Sequence, residues 1–463
     1  MTNTTGTQPA ASLQKTLLLG HVIIIGLAYI QPMTLFDTFG MVSEASIHHV
    51  PTSYFFALLA ILFTALSYGN MIRRYPSSGS AYTYVQRSIH PNAGFMVGWS
   101  SLLDYLLSPM VNILLAMIYL TDMFPTVNHW VWVIGLTGFM TWVNLRGIKF
   151  VANLNGLIVF FQLLVIAIFT FLVLKHLSAG DTALNALGLT QTHNAELWST
   201  QPLFSDNVKV GALITGATIL CFSFTGFDAL SSLAEETKDT DKTLPRAIFL
   251  TALISGVIFI IATYFMQLYF PGDPARYFDD VTATQPDILR IVGGELFKSV
   301  VLSFAIVTVM ASGISAHAGV SRLMYVMGRD GVFSKKYFGQ ISTKNAVPKF
   351  NIILVGLIAL SAGFTDLDHV VSLISFGALT AFSFVNLSVI SQYALREGRT
   401  KTPKDILNFV IIPMLGFLAV GALWLQIDSV ALKWGLVWAF FGILFLGYKT
   451  KGFKIPPPQY HND

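Results

Sequence analysis

Three acidic residues, Asp37, Asp104 and Asp228, stand inside or at the ends of long apolar runs that hold almost no other charge. An ionisable group at membrane depth is costly and marks a functional position unless a partner explains it. No Lys or Arg occupies the deep part of these runs, so none of the three has an obvious resident counter-ion. Such acids suit a cation that arrives from outside: a proton, a metal ion or an ammonium group. Asp104 begins a polar face, because Asp104, Ser108 and Asn112 recur at i, i+4 and i+8 on one helix side. The competing reading of Asp104 is a protonated acid bonded within the bundle, and that of Asp37 a vestibule or helix-contact residue. Asp228 carries the sharpest expectation, because it ends a stretch whose backbone itself reads as interrupted.

That stretch is Cys221-Phe222-Ser223-Phe224-Thr225-Gly226-Phe227-Asp228, a small polar patch in the sixth apolar run. The first run holds its counterpart, Gly26 to Thr34. There Pro32 removes a backbone donor and disfavours helix at Gln31. Two broken helices at the starts of two five-helix halves are the sequence pointer to a transporter site. Gln31, Met33 and Thr34 therefore join the three acids as substrate-binding candidates. So do the aromatics beside the breaks, Tyr29, Tyr105, Phe222, Phe224 and Phe227, whose rings can pack on alkyl chains and attract ammonium groups. Asp228, Asp104 and Glu235 are the proton-coupling candidates. His317 reads as a hydrogen-bonded contact between helices.

The elements that must position these residues are membrane spans. Hydrophobic residues make up 54% of the 463 and charged residues only 11%, against about 25% charged in a soluble domain. Too little charge exists to cover a soluble surface, which excludes disorder, a disulfide scaffold and a nucleic-acid binder. The lone Cys221 permits no internal disulfide and no Cys-based metal cluster. Runs long enough to cross about 30 Å of hydrocarbon recur as Thr16–Phe36, Tyr54–Ile72, Gly94–Leu120, Met123–Leu145, Phe150–Leu174, Val210–Phe227, Ala247–Gly272, Ser299–Ser321, Val370–Leu395 and Ile406–Ile427, while Phe350–Thr365 and Trp434–Tyr448 are short yet apolar enough to cross with flanking help. The expectation is an all-α membrane protein of twelve transmembrane helices. If the N-terminus is cytoplasmic, all but Lys175, Lys209, Arg276, Arg290, Lys298 and Lys433 of the 28 basic residues fall on the inside. The positive-inside rule then puts both termini in the cytoplasm. The chain divides into a tail (1–15), a first half (16–176), an external loop (177–209), a second half (210–395), two further helices (396–448) and a second tail (449–463). No phosphate loop, nucleophile elbow or metal-ligand spacing is present, so no enzyme, cofactor, metal or obligate protein partner is expected.

Several motifs resemble a known group. Ala65-Leu-Ser-Tyr68-Gly69 leads into Arg73-Arg-Tyr-Pro76-Ser-Ser-Gly79-Ser-Ala-Tyr82. Further on come Asn144-Leu-Arg146-Gly147, Ala234-Glu235-Glu236-Thr237, Leu244-Pro245-Arg246 and Gly328-Arg329-Asp330-Gly331. Together, and in this order, they resemble the amino acid–polyamine–organocation transporter superfamily over nearly the whole chain. The resemblance implies two inverted five-helix repeats with broken helices 1 and 6, two extra helices and alternating access. A narrower likeness lies at Gly26 to Gly40, Gly98 to Tyr105 and Cys221 to Asp228. It resembles the low-affinity subgroup of bacterial inner-membrane putrescine importers driven by the proton-motive force. The likeness implies a diamine cargo and aligns Asp228 with the acid, and Phe222 with the aromatic gate, of related carriers. Amino-acid members usually carry a Gly-x-Gly turn in span one to hold a carboxylate; this chain has Ala28-Tyr-Ile-Gln-Pro-Met instead. The Lys of span five in many proton-coupled relatives corresponds to Gln162, and a Trp of span eight to Ala316. The leading expectation is import of putrescine, driven by protons or by the membrane potential. The alternatives are an amino acid/proton symporter of the same superfamily and a ligand sensor without turnover.

Overall fold

Lipid offers backbone N–H and C=O groups no partner, so apolar runs of this length fold as helices. The computed structural model describes residues 17–76, 79–146, 155–189, 196–206, 208–329, 331–342 and 347–457. The predicted span starts at Thr16 and Phe150, and both ends of the chain, lie outside the described residues. In order, the helices are α1 (Leu19–Ile30), α2 (Thr34–Ala45), α3 (Val50–Arg74), α4 (Ser80–Ser88), α5 (Pro91–Met123), α6 (His129–Arg146), α7 (Asn155–Ser178) and the single turn α8 (Ala183–Ala186). The second half continues with α9 (Val210–Phe224), α10 (Thr240–Tyr269), α11 (Gln285–Arg329), α12 (Lys349–Ala359) and α13 (Leu367–Val389). The one-turn α14 (Pro403–Ile406), α15 (Ile412–Trp424) and α16 (Ser429–Lys449) complete it. The fold is all-helical.

Among the described residues, nine helices are long and apolar enough to cross a membrane, and the bent pair α1–α2 makes up to ten. The apolar stretch Lys349–Phe364 is shorter, as its sequence length foretold. Helix α6 forms, starting at His129 rather than Met123, but it falls outside the nine because His129, Asn144, Arg146 and three Trp share its 18 residues.

Both expected breaks are present, and they differ in kind. Helix α1 stops at Ile30, Gln31 takes a left-handed conformation (φ 51°), and α2 leaves at 50° to α1. A non-glycine residue held there stores about 1–3 kcal/mol and depends on its surroundings to keep it. The second break is an unwinding rather than a bend. Helix α9 stops at Phe224, Gly226 takes φ 107°, and a 3-10 helix resumes at Ala229–Glu235 within one span. The two breaks touch. A Cβ on Gly226 would lie 2.8 Å from the Cβ of Tyr29, so only glycine fits the contact as well as the dihedral.

Helices α3, α5, α10, α11 and α13 pack around these breaks. Buried glycines allow the approach: Gly256 of α10 sits against Leu58 of α3, and Gly377 of α13 against the backbone of Ser100 on α5. Helix α16 is fastened to α5 by a reciprocal pair. The Trp99 indole N–H donates to the Trp438 carbonyl at 2.9 Å, and the Trp438 indole N–H donates to the Trp99 carbonyl at 2.8 Å.

Candidate functional site

The breaks open onto a cavity of about 470 Å³, within the roughly 300–1,000 Å³ usual for small-molecule sites. Its lining runs from the buried Thr34 and Asn112, with Gln31 and Ser312 beside them at the deep end, to the exposed Arg87 and Arg322. The exposed end of the lining thus carries two basic residues. Tyr29, Asp104, Tyr105, Ser108, Phe222 and Asp228 also line the cavity. Nine of the sequence-derived binding candidates therefore meet in one space, though they come from three separate stretches of the chain: the α1–α2 break, α5 and the α9–3-10 break.

Asp104 and Asp228 come from opposite halves of the chain and line the same cavity. Among the described residues no Lys or Arg forms an ion pair with either acid. The ion pairs that do form among them are peripheral, such as Arg74–Glu397 and Lys298–Asp122. Asp228 stands at the N-cap position of the 3-10 helix, and its carbonyl accepts a bond from the Ser231 hydroxyl at 2.6 Å. Asp104 is set by α5, whose polar face is bonded as the spacing suggested. Ser108 Oγ donates to the Asp104 carbonyl at 3.0 Å, and Asn112 Nδ2 donates to the Ser108 carbonyl at 2.8 Å. Two carboxylates without a resident cation can hold a dication, with the Tyr29, Tyr105 and Phe222 rings on the apolar stem between the charges.

Four candidates lie elsewhere. Asp37 does not line the cavity. The 50° turn at the break sends it against α5 and α11, where the Tyr119 hydroxyl lies 2.8 Å from Asp37 Oδ1 and 3.0 Å from Gln285 Oε1. Thr284 Oγ1 donates to the Phe36 carbonyl at 2.7 Å in the same contact. Met33 faces α7, where its N–H, freed by the break, donates to Gln162 Oε1 at 3.3 Å. Phe224 packs with Tyr54 and Phe259, and Phe227 with Tyr68 and Phe382, all in the core. Glu235 ends the 3-10 helix, and its side chain is outside the described set. His317 does join helices, with Nε2 2.8 Å from the Ile352 carbonyl.

The cavity also holds residues that sequence reasoning passed over, among them Tyr82, Gln86, Ser101, Thr225, Ser312 and Arg322. Thr225 adjoined the predicted break and was within reach of it. Ser312 and Arg322 carried no signal, because a small residue within a span and a basic residue just beyond one are both common.

The amino acid permease family matches residues 21–441. The chain belongs to the amino acid permease family. It is 55% identical over 460 residues to the low-affinity putrescine importer PlaP of Escherichia coli (strain K12), covering 99% of each chain. It is 25% identical over 427 residues to the branched-chain amino acid permease BcaP of Bacillus subtilis (strain 168), covering 87% of this chain and 86% of that one. To the lysine-specific permease LysP of Escherichia coli (strain K12) it is 24% identical over 421 residues, covering 88% and 83%. The chain is thus a multi-pass membrane transporter and not an enzyme, as its composition and broken helices led one to expect.

Proposed function

We propose that this chain imports putrescine across the bacterial inner membrane, with the face bearing Arg87 and Arg322 in the cytoplasm. The observation that carries the reading is the pair Asp104 and Asp228, which line one cavity without a cationic partner among the described residues. A diamine supplies one ammonium group to each acid and an apolar stem to the rings between them. The similarity to a putrescine importer over the full chain supports the same cargo. The twelve-span arrangement follows with it: inverted halves over 16–176 and 210–395, the loop 177–209, the added helices of 396–448 and cytoplasmic tails at 1–15 and 449–463.

The membrane potential alone is an adequate driving force. One elementary charge is worth about 2.3 kcal/mol per 100 mV, so a dication gains about twice that without a bound proton. Gln162, at the position where proton-coupled relatives carry Lys, is engaged with the Met33 N–H and supplies no charge there. If a proton is carried as well, Asp228, Asp104 and Glu235 are the groups to bear it. Radiolabelled putrescine uptake with the potential and the pH gradient imposed separately tests the scheme. Uptake should follow the potential, inside negative; uptake indifferent to potential contradicts it.

A further inference from the structure

The amides at the deep end of the cavity are not free to choose their orientation. The Ser108 carbonyl can only accept, so the group 2.8 Å from it must be the Asn112 Nδ2 nitrogen. Asn112 Oδ1 then faces Gln31, and the Gln31 group 3.3 Å away must be Nε2. The same nitrogen lies 2.6 Å from Ser312 Oγ on α11. An amide nitrogen has two hydrogens, and both are now used. Gln31 Oε1 is left with no hydrogen-bond partner among the described residues, on a side chain that lines the cavity. A backbone carbonyl on α5 thereby fixes, through two side chains, which end of the Gln31 amide is free. The strained conformation of Gln31 at the break holds its side chain at this position.

We infer that this chain of amides makes the deep end of the cavity a subsite where Gln31 Oε1 joins one of the two acids in holding the second ammonium group of a diamine, and that Ser312 is its positioning and specificity residue. The inference rests on the putrescine reading and deepens it. An ammonium group only donates, and Oε1 receives it. A substrate carboxylate at the same place meets the oxygen's lone pairs and no amide N–H. Ser312 acts through Gln31. It holds the second Nε2 hydrogen, and without it the amide can rotate.

The test is putrescine uptake into proteoliposomes, with unlabelled putrescine or the monoamine butylamine as competitor. Butylamine has the stem and one ammonium group but nothing for the deep subsite. Losing one neutral hydrogen bond corresponds to about a 3–10-fold change in affinity. In Ser312→Ala the half-saturating putrescine concentration should rise by about that factor, while inhibition by butylamine shifts less than about twofold. Ser312→Thr should restore putrescine affinity, and Gln31→Leu should erase the preference for putrescine over butylamine. Equal weakening of both amines, or unchanged putrescine affinity in Ser312→Ala, overturns the inference while leaving the cargo intact. A wild type that takes up no putrescine overturns the cargo reading and the inference with it.

Discussion

Asp228 and Asp104 are placed so that removing either charge leaves the architecture standing. Asn matches Asp in shape, keeps hydrogen-bonding capacity and loses only the charge. In Asp104→Asn, the half-saturating putrescine concentration should rise at least about tenfold, the loss of about 1.4 kcal/mol or more of charge-assisted binding. Asp37 predicts a different outcome. It lies off the cavity and bonds Tyr119, so Asp37→Ala removes a buried hydrogen bond worth about 1 kcal/mol and leaves the Tyr119 hydroxyl only Gln285 Oε1. Thermal unfolding in detergent should register that loss, with little change in putrescine affinity. At this scale the sequence was a good guide to type and a partial guide to place. The i, i+4, i+8 face of Asp104, Ser108 and Asn112 follows from helical period alone. Asp37 and Met33 could not be placed, because the direction of α2 after Pro32 depends on what α5, α7 and α11 offer it. Phe224 and Phe227 follow the same logic: residues beside a break look alike in sequence, and the twist of the unwound segment decides which ring faces the cavity.

Elements hold these residues through close contacts rather than through many bonds. Gly377 on α13 is the clearest, since a Cβ there would lie 2.8 Å from the Ser100 carbonyl and 3.1 Å from Asp104 Cβ. Gly377→Ala should push α13 and α5 apart, at about 1–3 kcal/mol for overpacking. Because Asp104 takes part of the displacement, putrescine affinity should fall along with the unfolding temperature. The Trp99–Trp438 pair provides a contrast. Trp438→Phe removes one of two reciprocal bonds between α5 and α16, and should lower stability by about 1 kcal/mol with transport affinity unchanged. The breaks themselves were legible: Pro32 and Gly226 are local signals of lost helix. The number of spans was less so. Helix α6 carries Trp, His and Asn that hydropathy penalises but that packing accommodates, with Asn144 Nδ2 donating to the Met140 and Ile314 carbonyls at 3.0 and 3.2 Å.

At the scale of the whole molecule, scarce charge is segregated. Arg87 and Arg322 stand at the exposed end of the cavity that the two acids line. Just beyond a span, Glu397 is held by Arg74 and Gln392, at 2.9 and 2.8 Å. Partial burial works to raise the Glu397 pKa, but these bonds win and set it below the usual glutamate range. A depressed folded-state pKa gives stability that is present above the unfolded value, about 4.3, and lost as pH falls through the folded one. Glu397→Gln should therefore lower the unfolding temperature at neutral pH, leave it nearly unchanged below the folded-state value, and so flatten the acid limb of the profile. The central claim, that a diamine binds between Asp104 and Asp228, is tested most directly by radiolabelled putrescine uptake into proteoliposomes holding an inside-negative potential, comparing wild type with Asp228→Asn. Concentrative uptake by the wild type and none above background by the variant is the predicted result. Wild-type uptake by Asp228→Asn would contradict it.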